Sequence, residues 1–375
     1  MEPVGKILVV QPSWVGDAIM ATPTLRAIRT LYPDAEISYL LRRYVKEIYT
    51  GMPWADRLIT YRTGKTKAKA GKGLFDLGAR LRSAKFDLAI LLPNSFKTAL
   101  ICKMAGIRRI VGYDRDGRGF LLSDKLLPIK ERGKFIPTPI IKTYLGIAQY
   151  LGSSERDLSL KLFVTESEKR QANDVLSRAG LDASVHRPAT HGSGPWVMLN
   201  PGASYGAAKC WPPEYFAALG DRLAEEAGAT VMLSSAPRER RIIDAILRLM
   251  KRPAIDLSSL GLTLGALKEI VHRCDLMITN DTGPRHIAAA MDVPVVTLFG
   301  PTHPQWTEIY YPKERQLAIK VFCGPCQKKV CPLDHRCMTR LTPAMVFDAA
   351  VQLLPQIAPP ALVPSPSTRG EGKDF

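Results

Sequence analysis

Short, wholly apolar runs recur along this chain, separated by segments whose apolar residues return at helical spacing. That alternation restricts the fold more than any other feature. Lys6 to Gln11 (KILVVQ) reads as a buried parallel strand, and a glycine-containing loop, Pro12 to Asp17, follows it. Ala18 to Leu31 then places Ile19, Met20, Leu25, Ile28 and Leu31 at roughly helical spacing, and Pro33-Asp34 ends the helix. Ala35 to Leu41 is a second strand, which completes a βαβ unit and predicts a parallel sheet. Strand-like runs return at Asp87 to Leu92 and Arg109 to Val111.

The character changes between Thr165 and Pro195, where a polar helical stretch, Glu166 to Ala179, gives way to a loop rich in Gly, Ser, Pro and His. The alternation then starts again. Strands are expected at Trp196 to Asn200, Thr230 to Ser234, Leu276 to Thr279 and Val293 to Phe299. Helices are expected at Glu214 to Ala227, Glu239 to Met250 and Gly283 to Met291. The pattern predicts two Rossmann-like α/β domains in tandem, residues 1–165 and 196–355, joined by residues 166–195. The Pro/Ser/Gly-rich tail, residues 356–375, has the composition of a disordered segment. Two doubly wound domains hold a ligand in the cleft between the carboxyl ends of their sheets.

Hydrophobic residues make up 46% and charged residues 23%, the profile of an ordinary globular protein. No run approaches the roughly 20 apolar residues needed to span a bilayer. Only Ile7 to Val10 follow Lys6 before Gln11, too short for the roughly 7–15-residue apolar core of a secretory signal. A cytoplasmic protein is expected. The net charge of +17 favours anionic partners. Arg62, Lys65, Lys67, Lys69 and Lys72 form an acid-free stretch, either a solvated loop or an anion-facing rim on the first domain. That stretch contains no aromatic residue for base stacking, which disfavours a nucleic-acid binder, the non-enzyme alternative.

Asn280-Asp281-Thr282-Gly283 is the sharpest local motif. It ends a buried strand and opens a helix through Pro284, Arg285 and His286, so backbone N–H groups and the helix dipole form an anion site. An ordinary Asp or Thr cap reads equally well at that junction. His286, one turn in, can face the same anion or serve the helix. The loop Pro201 to Pro212 has small residues for close backbone approach and Lys209 for a phosphate, without the spacing of a Walker loop. Ser13 to Asp17 occupies the equivalent loop of the first domain and lacks a dinucleotide fingerprint. Asp17 there is either a general base or a helix-start residue. Asp114 and Asp116 resemble a metal pair, but Arg108, Arg109, Arg115 and Arg118 around them oppose a cation. Cys323, Cys326, Cys331 and Cys337, with His335 among them, offer thiols for tetrahedral zinc, though more closely spaced than in many structural zinc sites. Reduced thiols in a compact loop are the other reading.

As a set these motifs resemble the bacterial lipopolysaccharide heptosyltransferases, with the heptosyltransferase II subgroup nearest in pattern. The residues that carry the likeness are Ser13 to Asp17 with Ala21 to Pro23, Leu92 to Lys97, and Gly106-Ile107 with Gly112-Tyr113. Asn200 to Ala203, Lys209 with Trp211-Pro212, Asn280 to Gly283 with His286, Leu298 to Thr302 and the cysteine segment continue it in order. The resemblance implies a GT-B fold, the acceptor on the N-terminal domain and ADP-heptose on the C-terminal one. It implies inverting transfer of L-glycero-D-manno-heptose to the lipopolysaccharide inner core. Asp17 would be the base. Ser204, Tyr205, Lys209, Leu262, Asp281, Thr282, Gly283 and His286 would bind the donor, with Ser13 and Gly16 as additional site residues. No cofactor is required by that chemistry. Heptosyltransferase I, or a transferase of another sugar, is the alternative within the class. The basic surface suits peripheral association with the anionic inner membrane.

Overall fold

In the computed structural model, which describes residues 4–61, 67–191 and 194–354, the apolar runs become the strands of two six-stranded sheets. The first contains β1 (Lys6–Val10), β2 (Glu36–Arg42), β3 (Arg57–Tyr61), β4 (Leu88–Leu91), β5 (Arg109–Tyr113) and β6 (Asp124–Leu126), in the order β3-β2-β1-β4-β5-β6. A short antiparallel pair, β7 (Lys130–Glu131) and β8 (Lys134–Phe135), follows it. The second sheet contains β9 (Trp196–Asn200), β10 (Thr230–Leu233), β11 (Ile255–Asp256), β12 (Leu276–Asn280), β13 (Val295–Phe299) and β14 (Glu314–Ala318), ordered β11-β10-β9-β12-β13-β14. Every pairing within the two large sheets is parallel. Strand order reverses between β1 and β4, and again between β9 and β12.

Among the helices are α1 (Val15–Met20), α2 (Thr22–Leu31), α3 (Lys46–Tyr49), α4 (Lys67–Ala84), α5 (Phe96–Met104), α6 (Ile140–Tyr150) and α7 (Glu166–Arg178). The second half adds α8 (Pro213–Glu226), α9 (Arg240–Leu249), α10 (Leu264–Arg273), α11 (Gly283–Ala290), α12 (Arg336–Thr339) and α13 (Pro343–Val351). The single helix expected over Ala18 to Leu31 is two, because Pro23 sits in the first turn of α2 and suits a helix start, not an interior. The edge strands β3, β6 and β14 and the two-residue β11 escaped the sequence reading because they are half-exposed and lack a continuous apolar run. Residues 67–72 of the basic stretch open α4 instead of forming a loop, while residues 62–66 and the tail 355–375 lie outside the described residues.

The halves share one apolar cluster. Ile7, Val9 and Ile19 of the first belong to it with Trp196, Met198, Ile287 and Val295 of the second. Polar contacts fix the join. The buried Lys268 ammonium of α10 donates to the carbonyls of Glu47 (2.7 Å) and Phe163 (2.8 Å) and pairs with Glu168 (2.9 Å). The Gly265 amide donates to the Glu47 carboxylate at 2.7 Å. Thr165 and Glu168 form a reciprocal capping box at the start of α7. Ala172, Val175 and Leu176 of that helix face the shared cluster, so the segment read as a connection is itself part of the packing. Among the described residues no helix is long and apolar enough to cross a membrane.

Candidate active site

In a parallel sheet the loops that leave the strand ends at a reversal of order diverge, and the crevice between them is where such folds bind ligands. Here the loops after β1 and β4 carry Ser13 to Asp17 and Pro93 to Ser95. Those after β9 and β12 carry Pro201 to Lys209 and Asp281 to Gly283. Every residue expected to act as base or to bind the donor, except Leu262 and His286, lies in these loops or at their exits. His286 lies one turn into α11.

The two reversal points meet. Helices α1 and α11 pack against each other without intervening side-chain bulk. A Cβ at Gly16 would lie 2.7 Å from Cδ2 of His286, and one at Gly283 would lie 2.9 Å from Cγ1 of Val15. Both glycines are therefore required by close approach. His286 is buried, and desolvation first, then the Arg285 charge, push its imidazole down to about 3, so it is neutral at physiological pH. Its Nδ1 is buried and has no hydrogen-bond partner among the described residues.

On the second-domain side, the Lys209 ammonium lies 2.6 Å from Oδ2 of Asp281 and 2.9 Å from the Asp281 carbonyl. Oδ2 also accepts from Thr302 (3.0 Å), while Oδ1 accepts from Thr307 (3.2 Å) and Arg285 (3.3 Å). Burial alone would raise this carboxyl, but Lys209 and Arg285 hold it down to about 2. The fully buried Arg285 guanidinium is shared with Glu314 at 2.6 and 3.0 Å. Four acceptances tie the Asp281 carboxylate to Lys209, Thr302, Thr307 and Arg285. The Asn280 amide donates to the Pro201 carbonyl at 2.7 Å, and its Oδ1 accepts from the Trp211 amide at 3.2 Å. One motif thus fixes the Lys209 loop at both ends.

Asp17 lies in the first turn of α1, half-buried. Desolvation pushes its carboxyl up to about 6; the Lys209 charge pulls it back and the Asp281 charge adds to the rise. Those two influences place Asp17 within electrostatic reach of the lysine pair from the opposite domain. A carboxyl raised toward neutral pH beside a cation can take up and release a proton in the physiological range. Thr282 precedes α11, and among the described residues its side chain makes no capping hydrogen bond.

The remaining expected residues divide. Tyr205 donates its hydroxyl to the Gln327 carbonyl at 2.5 Å, and its ring lies 5.2 Å from the Lys209 ammonium. Ser204 is exposed and Leu262 is half-buried against the shared apolar cluster. Ser13 offers its carbonyl to the Tyr44 hydroxyl. Sequence reasoning gave no role to Arg285, Thr302, Thr307 or Glu314. The spacing of Asp281 and Arg285, four residues apart across the start of α11, was the signal available. Asp114 and Asp116 lie near Arg118, whose buried guanidinium donates to the carbonyls of Pro93 and Tyr113. They belong to no group placed to hold a metal ion among the described residues.

Cys323, Cys326, Cys331 and Cys337 line one small cavity with His335, Ala208, Gly300 and Pro301. Among the described residues no three His, Cys, Asp or Glu side chains are grouped closely enough to hold a metal ion as they stand. What this loop does contact is the lysine loop. The Ala208 amide donates to the Lys329 carbonyl (3.0 Å), and His335 Nε2 lies 2.8 Å from the Ala208 carbonyl.

Two facing Rossmann-like domains, with a buried cation on the second and a carboxylate of raised pKa on the first, form the GT-B architecture of glycosyltransferases. The chain belongs to glycosyltransferase family 9 (heptosyltransferase), whose pattern matches residues 74–336. It is 29% identical over 359 residues to lipopolysaccharide heptosyltransferase 2 of Salmonella typhimurium, covering 93% of this chain and 98% of that protein. It is 26% identical over 366 residues to lipopolysaccharide heptosyltransferase 1 of Pseudomonas aeruginosa, covering 91% and 96%. Among solved structures it is similar to the ADP-heptose LPS heptosyltransferase II of E. coli, with a TM-score of 0.74, 26% identity and coverage of 93% and 98%.

Proposed function

We propose that the protein transfers L-glycero-D-manno-heptose from ADP-heptose to the inner core of lipopolysaccharide, adding the second heptose with inversion of the anomeric centre. The observation that carries the reading is Asp17, raised to about 6 and facing the Lys209–Asp281 pair. The acceptor lies on residues 1–165 and the donor on residues 196–355. The Asp17 carboxylate takes the proton from the acceptor hydroxyl as its oxygen attacks the anomeric carbon. The bond from that carbon to the diphosphate oxygen breaks, and ADP leaves with the electron pair. Lys209 and the backbone amides at Thr282 and Gly283 meet the charge that grows on the diphosphate. Asp281 and Arg285 hold Lys209 in place, and Ser204 and Tyr205 border the phosphates. The neutral His286 completes the floor of the site.

This reading asks no cofactor of the protein. Chelation by EDTA should leave turnover unchanged; loss of activity restored by Mg²⁺ would count against it. The acceptor is a lipid-linked saccharide, so the protein works at the cytoplasmic face of the inner membrane as a peripheral protein. The test of substrate is a donor and acceptor screen read by mass spectrometry. ADP-heptose with a core acceptor bearing one heptose gives the mass of one added heptose. A preference for a heptose-free acceptor instead assigns the heptosyltransferase I reaction, and a preference for another nucleotide sugar removes the proposal.

A further inference from the structure

The carboxyl edge of the first sheet carries exposed apolar surface that the transfer chemistry does not use. Phe96, at the exit of β4, and Phe120, after β5, are both exposed and their ring centroids are 6.0 Å apart. The guanidinium of Arg115 lies 3.9 Å from the centroid of the Phe135 ring, and the Lys130 ammonium 4.9 Å from the same ring. Strands β7 and β8 pair Lys130 with Phe135, and the Ile136 amide donates to the Ile129 carbonyl at 3.3 Å. That pairing presents Ile129 and Ile136 together, beside Leu127, which is 76% exposed. The buried Arg118 side chain bonds the loop after β4 to the loop after β5, through Asn94 Oδ1 (3.1 Å) and the Tyr113 carbonyl (3.0 Å), so the two aromatic-bearing loops are one unit.

Resting on the lipid-linked acceptor of the proposed function, we propose that this edge is the membrane-docking surface and that its partner is an anionic phospholipid bilayer. Aromatic and branched apolar side chains flanked by cations that lie over the rings are the composition that settles at a headgroup boundary. Lys97, Arg115, Lys125, Lys130 and Arg132 supply the positive charge, against Asp116 and Glu131; of the other acids in the segment, Asp124 is paired with Arg109 at 3.2 Å and Asp114 lies near the buried Arg118. Cations near an anionic surface each add to the attraction, and apolar insertion reinforces it. The geometry gives the docking a purpose. In a parallel sheet the residues following β4, β5 and β6 leave from the same edge as those following β1, so the bilayer would face the edge that carries Asp17.

Vesicle co-sedimentation tests this without any substrate, and so independently of the proposed reaction. The full chain is mixed with vesicles of phosphatidylethanolamine and phosphatidylglycerol, or of phosphatidylcholine alone, at physiological salt. The wild type is expected to bind the anionic vesicles and to leave the neutral ones. Phe120→Ser with Phe135→Ser is expected to lower partitioning about tenfold or more, and Lys130→Glu with Arg132→Glu to lower it comparably. Both variants should bind ADP, and act on a soluble saccharide acceptor, as the wild type does. Equal partitioning of variants and wild type, or no wild-type binding, overturns the proposal. Loss of turnover on the soluble acceptor with vesicle binding intact also overturns it and makes the patch an acceptor platform instead.

Discussion

The Lys209 ammonium sits 2.6 Å from the Asp281 carboxylate, a buried ion pair between the two loops that leave the second sheet at its reversal of strand order. The pair fixes a buried cation at that reversal point and keeps it from turning out to solvent.

Asp281→Asn should therefore be a structural as well as a kinetic lesion. It strips Lys209 and the buried Arg285 of a shared partner, and breaking such a pair costs about 3–5 kcal/mol. The sign of the pH dependence follows from the carboxyl being held at about 2 against its ordinary 3.8. Its contribution is present above 3.8 and fades as pH falls through about 2. Urea melts of wild type and Asp281→Asn should differ most near neutrality and converge in acid. Lys209→Met should lower kcat by about 10²–10³.

The acid limb of kcat/KM should lie near pH 6, because Asp17 must be ionised to accept a proton and its carboxyl is raised to about 6. Lys209 is one of the charges that lower it, so Lys209→Met should move the limb to higher pH in whatever activity survives. A limb that stays in place would uncouple the two residues.

Ionising a half-buried Asp17 also costs stability. Its raised folded value means that the neutral form's advantage is complete below 3.8 and is lost as pH rises through about 6. Asp17→Asn cannot ionise. Its Tm should exceed that of the wild type at pH 7 by a few degrees, about 2–4 °C for each kcal/mol recovered, and the gap should close below 3.8.

Gly16→Ala should separate α1 from α11, since its methyl group would lie 2.7 Å from the His286 ring. Overpacking of this kind costs about 1–3 kcal/mol. Gly16→Ala with His286→Ala should recover most of the lost stability in a double-mutant cycle. Additive losses would show that the helices do not meet as described.

His335→Ala removes the ring that holds the Ala208 carbonyl at 2.8 Å, one residue before Lys209. The expected result is a higher KM for the nucleotide sugar with a smaller change in kcat, and partial rescue by His335→Gln. Equal loss with both substitutions would assign the histidine to folding alone.

Much of the fold was legible in the chain because parallel strands buried on both faces announce themselves as apolar runs. KILVV and WVMLN need no alternating pattern to be recognised as strands, and their following loops carry Asp17 and Lys209. The edge strands were not legible, because ERQLA in β14 is as polar as a loop, and Glu314 within it pairs with Arg285 only through the fold. The contacts of the Asp281 side chain were not legible either. Its four hydrogen-bond partners are Lys209, Arg285, Thr302 and Thr307, far apart along the chain, and no local spacing reveals that convergence.

Whether Asp17 is the base is decided by the turnover of Asp17→Asn with ADP-heptose and a heptose-bearing core acceptor, measured beside its affinity for ADP. Transfer should fall by about 10²–10⁴ while ADP binding stays within a fewfold of the wild type. Transfer by Asp17→Asn at near wild-type rate would contradict the assignment.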